Sequence, residues 1–233
     1  MKDFVKYIKM MRYALQFKMI IILSALFFVF GIIFEIAGMG ATDSSYSLPA
    51  LYLALTGMYF YQMVFSCTVS KMVQASPMKK KLQVTGPILI TFISSLIVFA
   101  VYVALRLIRI TPEFLYDNNV TYPRAYSTIP FMAVWIFIFF VYMAFSYRSF
   151  ILSMVFIFLT IIGILGFSFK TEIFIRMSEN LIGADNSPLM IIIVSLAIII
   201  AGAVIGYILS LLLYKKPISE MSVRYALRQA QNK

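Results

Sequence analysis

Long apolar runs alternate with short polar segments along the whole chain. A helix needs about 20 mostly apolar residues to cross the hydrocarbon of a bilayer. Six runs reach that length with few charges, and we predict a membrane-spanning helix in each. The predicted spans one to six cover about residues 19–39, 48–69, 86–105, 129–146, 150–167 and 188–214.

The fourth and fifth spans come from one apolar stretch, residues 131–167, which is too long for a single crossing. Ser146, Tyr147, Arg148 and Ser149 interrupt it. An arginine at this point predicts a tight hairpin turn between two spans, since a charge is costly at membrane depth.

Two further helices are predicted outside the spans. Residues 2–16, within an N-terminal segment of residues 1–17, place four apolar side chains on one helical face and the lysines on another, which is typical of an interfacial amphipathic helix. Residues 171–183 show a similar pattern and end at Gly183, a good C-terminal stop. We expect a short helix at the outer surface between spans five and six.

Composition indicates the class of protein, and the distribution of charge indicates its orientation in the membrane. The chain of 233 residues is 62% hydrophobic and only 12% charged, about half the charged fraction of a soluble domain. Fifteen of the twenty basic residues precede span one, separate spans two and three, occupy the hairpin or follow span six. By the positive-inside rule this side is cytoplasmic. The sequence therefore predicts a single all-α membrane domain with both termini and the tail 215–233 inside, and the net charge of +11 requires no nucleic acid.

Several kinds of chemistry are disfavoured by residues that the sequence lacks. Histidine is absent, which removes the commonest general base and zinc ligand. Cys67 is the only cysteine, so no intramolecular disulfide can form, and we interpret it as a small apolar residue. No GxxxxGK[ST] phosphate loop is present. We predict no catalytic residue, no metal and no cofactor in this chain.

Ionisable residues are rare within the predicted spans. Glu35 lies near the outer end of span one, and Arg106 and Arg109 lie near the outer end of span three. Each can extend its charged group to the interface, so we predict interfacial positions, with a Glu35–Arg106 ion pair as the alternative. A proton or sodium relay has little support in this pattern.

The segment between spans two and three carries small residues, a proline and a basic cluster, in the order Ala75-Ser76-Pro77-Met78-Lys79-Lys80-Lys81. Together with the basic N-terminal helix, the six spans, the turn at Arg148 and the outer helix, it resembles the transmembrane subunit of a small bacterial ABC-2 type transporter. The alternative interpretation of these lysines is that they only determine topology.

The resemblance implies a half-transporter that dimerises with itself or with a sister subunit and binds separate ATPase subunits, which hold the ATP and magnesium. The N-terminal helix and the loop after span two contact the ATPase in that family. Carried onto this chain, the coupling residues are Lys9, Arg12, Lys71, Met72, Val73, Gln74, Ala75, Ser76, Pro77, Lys79, Lys80 and Lys81.

Polar and aromatic side chains follow helical spacing in spans two and five, which the resemblance places at the dimer interface. The candidate substrate path comprises Tyr52, Thr56, Tyr59, Gln62, Met63, Ser66, Ser153, Phe156 and Thr160. The alternative is that both stripes serve helix packing inside the subunit. Gly202 and Gly206 form a GxxxG motif, for which we predict close helix packing.

The predicted function is the permease subunit of an exporter for a hydrophobic or amphipathic peptide, antibiotic or lipid-like molecule in the bacterial plasma membrane. Two alternatives remain open. One is a non-transporting membrane subunit, such as an immunity or scaffold protein, and the other is an ion-coupled transporter.

Overall fold

The computed structural model describes residues 9, 17–37, 48–68, 73, 75, 77–117, 121–146, 148–168, 172–182 and 187–220. Every regular element among these residues is helical. The elements are α1 (Phe17–Ile36), α2 (Leu48–Thr68), a π-helix (Lys81–Thr85), α3 (Gly86–Arg109), α4 (Pro112–Asp117), α5 (Tyr122–Tyr126), α6 (Thr128–Ser146), α7 (Phe150–Ser168), α8 (Glu172–Leu181) and α9 (Leu189–Leu213).

Prolines mark several helix boundaries, as their missing N–H predicts. Pro87 lies in the first turn of α3, and Pro123 in the first turn of α5. The N–H of Ile110 closes α3 by donating to the carbonyl of Arg106, and Pro112 follows. These boundaries separate the long helices from short ones without leaving long irregular segments between them.

The central helix of the bundle is α6, most of whose residues are buried. It packs most extensively against α9 and also contacts α2 and α7, while α1 packs on α2 and α2 on α3. The largest core cluster accordingly runs along α6, from Ile129 to Met143. The helices α1 and α3 begin, and α6 and α9 finish, at the same end of the bundle. Lys18, Lys80 and Lys215 lie there, and we call it the basic end.

Two glycines allow α9 to approach α6 closely. A Cβ placed on Gly202 would lie 2.8 Å from the Cα of Phe137, and one on Gly206 would lie 3.0 Å from the carbonyl oxygen of Phe140. At Gly202 a Cβ has no room unless the backbone of α6 shifts, and at Gly206 a Cβ would push the carbonyl of Phe140 by a few tenths of an ångström. The packing predicted for the GxxxG motif is confirmed.

Among the described residues, the helices long and apolar enough to cross a membrane are Phe17–Ile36, Lys81–Arg109, Tyr122–Ser146 and Leu189–Leu213. They correspond to predicted spans one, three, four and six. Predicted spans two and five also fold as helices, α2 of 21 residues and α7 of 19 residues.

The boundaries agree with the predictions to within a few residues at most ends. The clearest differences are the π-helix in front of span three and the short helices α4 and α5, which the apolar pattern does not reveal. The turn at Arg148 is confirmed, as is a helix between spans five and six. Of the predicted N-terminal helix only Lys9, which is helical and exposed, falls within the described residues.

Candidate functional site

The predicted coupling segment leads directly into the helical segment Lys81–Arg109, which comprises the π-helix and α3. Lys79, Lys80 and Lys81 precede or begin the π-helix, and the last two are exposed. Ala75 and Pro77 are also exposed, and Val73 is partly buried. The other predicted coupling residues, which lie outside the described residues, are Arg12, Lys71, Met72, Gln74 and Ser76.

The π-helix Lys81–Thr85 accommodates a proline that a regular α-helix would not. The ring of Pro87 would clash with the carbonyl of Gln83 in a continuous α-helix. Instead, the N–H of Gly86 donates to the carbonyl of Lys81, five residues back, and the wider turn relieves that contact. Gln83 and Val84 are buried, so the inner face of this turn is part of the packed bundle.

Arg148, in the turn between α6 and α7, joins three parts of the basic end. Its Nη2 donates a 2.8 Å hydrogen bond to Oε1 of Gln83. Its Nη1 donates to the carbonyl of Lys216, and the guanidinium lies over the ring of Tyr214 with its carbon 5.4 Å from the centroid. Burial lowers the pKa of Arg148 from its ordinary value, while Tyr61 and Tyr214 oppose that shift. The turn, the π-helix and the end of α9 are therefore held by one side chain.

Glu35 on α1 and Arg106 on α3 form a buried ion pair at the opposite end. Arg106 Nε lies 2.7 Å from Glu35 Oε1, and the two side chains are 1% and 2% exposed. The same Nε donates a longer hydrogen bond of 3.3 Å to the hydroxyl of Tyr102. The prediction that both charges reach the interface is wrong, and the alternative ion pair is the one observed. A buried charge is stable only when paired, which explains why neither group reaches the interface.

The polar stripe of α2 packs against α1 within the subunit. Tyr52 contacts the rings of Phe27 and Phe34, at 5.5 and 5.4 Å between centroids, and Tyr59 stacks on Phe27 at 5.4 Å. Gln62 is partly buried, and the side chain of Ser66 is outside the described residues. The aromatic members of the stripe therefore join the two helices.

The stripe on α7 lies elsewhere in the subunit, because α7 packs against α6. Ser153 is buried, and Phe156 and Thr160 are partly buried. Phe156 contacts the ring of Phe145 on α6, with centroids 6.3 Å apart. Within one chain the two halves of the candidate path are separate, and their role as a substrate path stays a prediction.

A groove with a cavity volume of about 320 Å³ lies between α1, α2 and α3. Thr56 and Met63 of the candidate path line it, together with Ser24 and Ser94. Thr56 donates its hydroxyl proton to the carbonyl of Tyr52, and Ser94 donates to a carbonyl of its own helix. The hydroxyls of Thr56 and Ser94 are thus satisfied by backbone groups, and apart from these two residues and Ser24 the lining is apolar.

Sequence reasoning did not identify the groove or the partners of Arg148. Ser24, Ser94 and Gln83 are polar residues in or next to apolar spans, and that position was the only signal available. In the part of the chain that the structure describes, no group of three or more His, Cys, Asp or Glu residues could hold a metal ion.

Comparison of the chain with protein-family models, with curated proteins and with solved structures finds no match.

Proposed function

We propose that this chain is the transmembrane subunit of an ATP-driven exporter of the ABC-2 type. In this proposal six helices cross the bacterial plasma membrane, the basic end and both termini face the cytoplasm, and two subunits form the permease. The chain has no phosphate loop, so ATP hydrolysis takes place in separate ATPase subunits.

The observation that carries the proposal is the connection of the lysine cluster to the bundle. Lys80 and Lys81 are exposed, yet they continue without a break into a helical segment of 29 residues, Lys81–Arg109. Gln83, at the start of that segment, is bonded to Arg148. A displacement of the lysines by a partner would therefore act on several helices together, as coupling to an ATPase requires.

The composition of the candidate path supports the cargo class. Its side chains are apolar, aromatic or polar without charge, and none of them is ionised. Such surfaces accommodate hydrophobic or amphipathic molecules, and they offer no site for an inorganic ion or a highly charged solute. We therefore propose a peptide, an antibiotic or a lipid-like cargo.

Copurification tests the proposal. The chain is expressed with the proteins encoded beside it, extracted in mild detergent and purified by a tag on this chain alone. We expect an ATPase to copurify and its activity to be higher in the complex than alone. The triple variant Lys79→Gln, Lys80→Gln, Lys81→Gln should bind less ATPase, because the basic contact surface is neutralised.

The matched control is Lys215→Gln, which removes a charge from an exposed residue at the same end. It should leave binding unchanged. Capture of a peptide or signalling protein with no ATPase would favour the scaffold alternative. Transport that stops when the proton gradient collapses, while ATP stays high, would favour the ion-coupled alternative.

A further inference from the structure

The groove between α1, α2 and α3 occupies one half of the bundle. Ile20 and Ile21, near its basic end, lie close to the start of α1, and Phe28 lies at its far end. The eight helical steps from Ile20 to Phe28 span about 12 Å. This length is close to half the thickness of the hydrocarbon core, which is about 30 Å. The groove therefore has the depth of one bilayer leaflet.

The groove opens sideways, toward the surface that the bilayer would cover. Ile21 and Ile97 line it and are 41% and 60% exposed. An apolar space of this size does not bind water well, because it offers too few hydrogen-bond partners. An apolar chain that enters from the side would fill it.

Exposed lysines lie at the basic end of the groove. Phe17 and Leu82 pack against the same small cluster, which contains Ile20 and Met63 from the groove lining. Lys18 follows Phe17 in the chain, and Lys80 lies two residues before Leu82; both lysines are exposed. In the proposed orientation, these positive charges would lie at the level of the lipid phosphates, at the basic end of the apolar groove.

We propose that this groove binds one acyl chain of an anionic phospholipid from the leaflet at the basic end, and that Lys18 and Lys80 attract its phosphate. The bound lipid fills the space between α1 and α3, which otherwise are joined through α2 and, at the far end, by the Glu35–Arg106 pair. The inference rests on the membrane orientation of the proposed function, but it needs neither the ATPase nor the exported cargo.

Photolabelling tests the acyl-chain site. The full chain is reconstituted in phosphatidylcholine vesicles that contain phosphatidylglycerol with a photoreactive group midway along one acyl chain, and the labelled peptides are mapped. We expect labels to concentrate in residues 20–28 and around Ile97. Ala25→Phe, which fills the groove, should reduce labelling at Ile97 several-fold, and Ala25→Leu should reduce it less.

The matched control is Ala201→Phe, which places the same ring on an exposed position of α9 and should leave the labelling at Ile97 unchanged. Equal labelling of all exposed apolar helix faces, or labelling that Ala25→Phe does not change, would overturn the site. Cross-links between two copies of this chain through the groove would overturn it as well.

The headgroup contact has its own test. With the label on phosphatidylcholine instead, wild-type labelling in the groove should fall several-fold, because the lysines favour a net negative lipid. The double variant Lys18→Gln, Lys80→Gln should label equally with both lipids, whereas Lys215→Gln should retain the preference. Equal wild-type labelling by both lipids would contradict the role of the lysines. Absence of a copurifying ATPase would leave every one of these results unchanged, so the two proposals fail separately.

Discussion

Arg148 and Gln83 are separated by 65 residues in the chain, and Nη2 of the arginine donates a 2.8 Å hydrogen bond to Oε1 of the glutamine. The bond joins the turn after α6 to the π-helix before α3. Gln83 is 3% exposed, and its Nε2 donates no hydrogen bond to any described residue. The amide therefore serves as an acceptor for the arginine.

This pairing predicts a large loss of stability for one substitution of Gln83 and a small loss for another. Gln83→Leu should lower the free energy of unfolding by about 1–3 kcal/mol, because Arg148 loses its buried acceptor. Gln83→Glu should recover most of that loss, since a carboxylate accepts from the guanidinium and removes the unsatisfied Nε2 donor. Unfolding in detergent by increasing dodecyl sulfate, followed by the fluorescence of the single tryptophan, Trp135, measures both. Equal stability of the two variants would contradict the pairing.

The Glu35–Arg106 pair predicts strong coupling between two substitutions. Glu35→Gln or Arg106→Gln alone should cost about 3–5 kcal/mol, because each leaves a buried charge without its partner. The double variant should cost clearly less than the sum of the two. A double-mutant cycle in the same unfolding assay gives the coupling energy. Glu113→Gln, at an exposed acid, is the control. Additive effects would show that the two charges do not interact.

Gly202 predicts a steep dependence of stability on side-chain size at one face of α9. Gly202→Val should destabilise the protein by about 1–3 kcal/mol, because the added atoms meet the backbone of Phe137. Ala201→Val, one residue away on the exposed face, should change stability by less than about 0.5 kcal/mol. The unfolding assay compares the two variants directly. Similar losses from both would point to a general effect of β-branched residues in α9.

The proposed orientation of the bundle predicts which cysteines react from outside the cell. In a Cys67→Ala background, Lys80→Cys should not react with a membrane-impermeant maleimide in intact cells, whereas Glu113→Cys should. Both positions are exposed, so burial does not account for the difference. Permeabilised cells provide the control, because both cysteines should then react. Labelling of Lys80→Cys in intact cells would reverse the assigned topology and remove the contact surface for a cytoplasmic ATPase.

The apolar runs predict the long helices well because a membrane helix must satisfy its backbone within itself. Length and composition therefore locate the helices with no knowledge of their neighbours. The break at Arg148 was predictable for the same reason, since one charge ends an otherwise continuous apolar run. What Arg148 binds was not predictable, because Gln83 and Lys216 approach it only after three helices have packed.

The error at Glu35 has a related cause. The helix α1 is apolar on nearly every side, so its sequence does not indicate which face meets the protein and which meets lipid. A carboxylate near a helix end can then be assigned to the interface or to the interior with equal ease. The interior position is stabilised by Arg106 on α3, and the sequence does not give the position of α3 relative to α1.

The π-helix sets the direction in which the lysine cluster points. A π turn holds one residue more than an α turn, so the segment before it is offset around the axis of α3 by about 100°, the angle between successive residues. If Lys81–Thr85 rewound into a regular α-helix without losing a residue, Lys79 and Lys80 would swing through that angle while α3 stayed in place. The direction of Lys79 and Lys80 around the axis of α3 thus depends on a single extra residue in the turn that Gln83 bonds to Arg148.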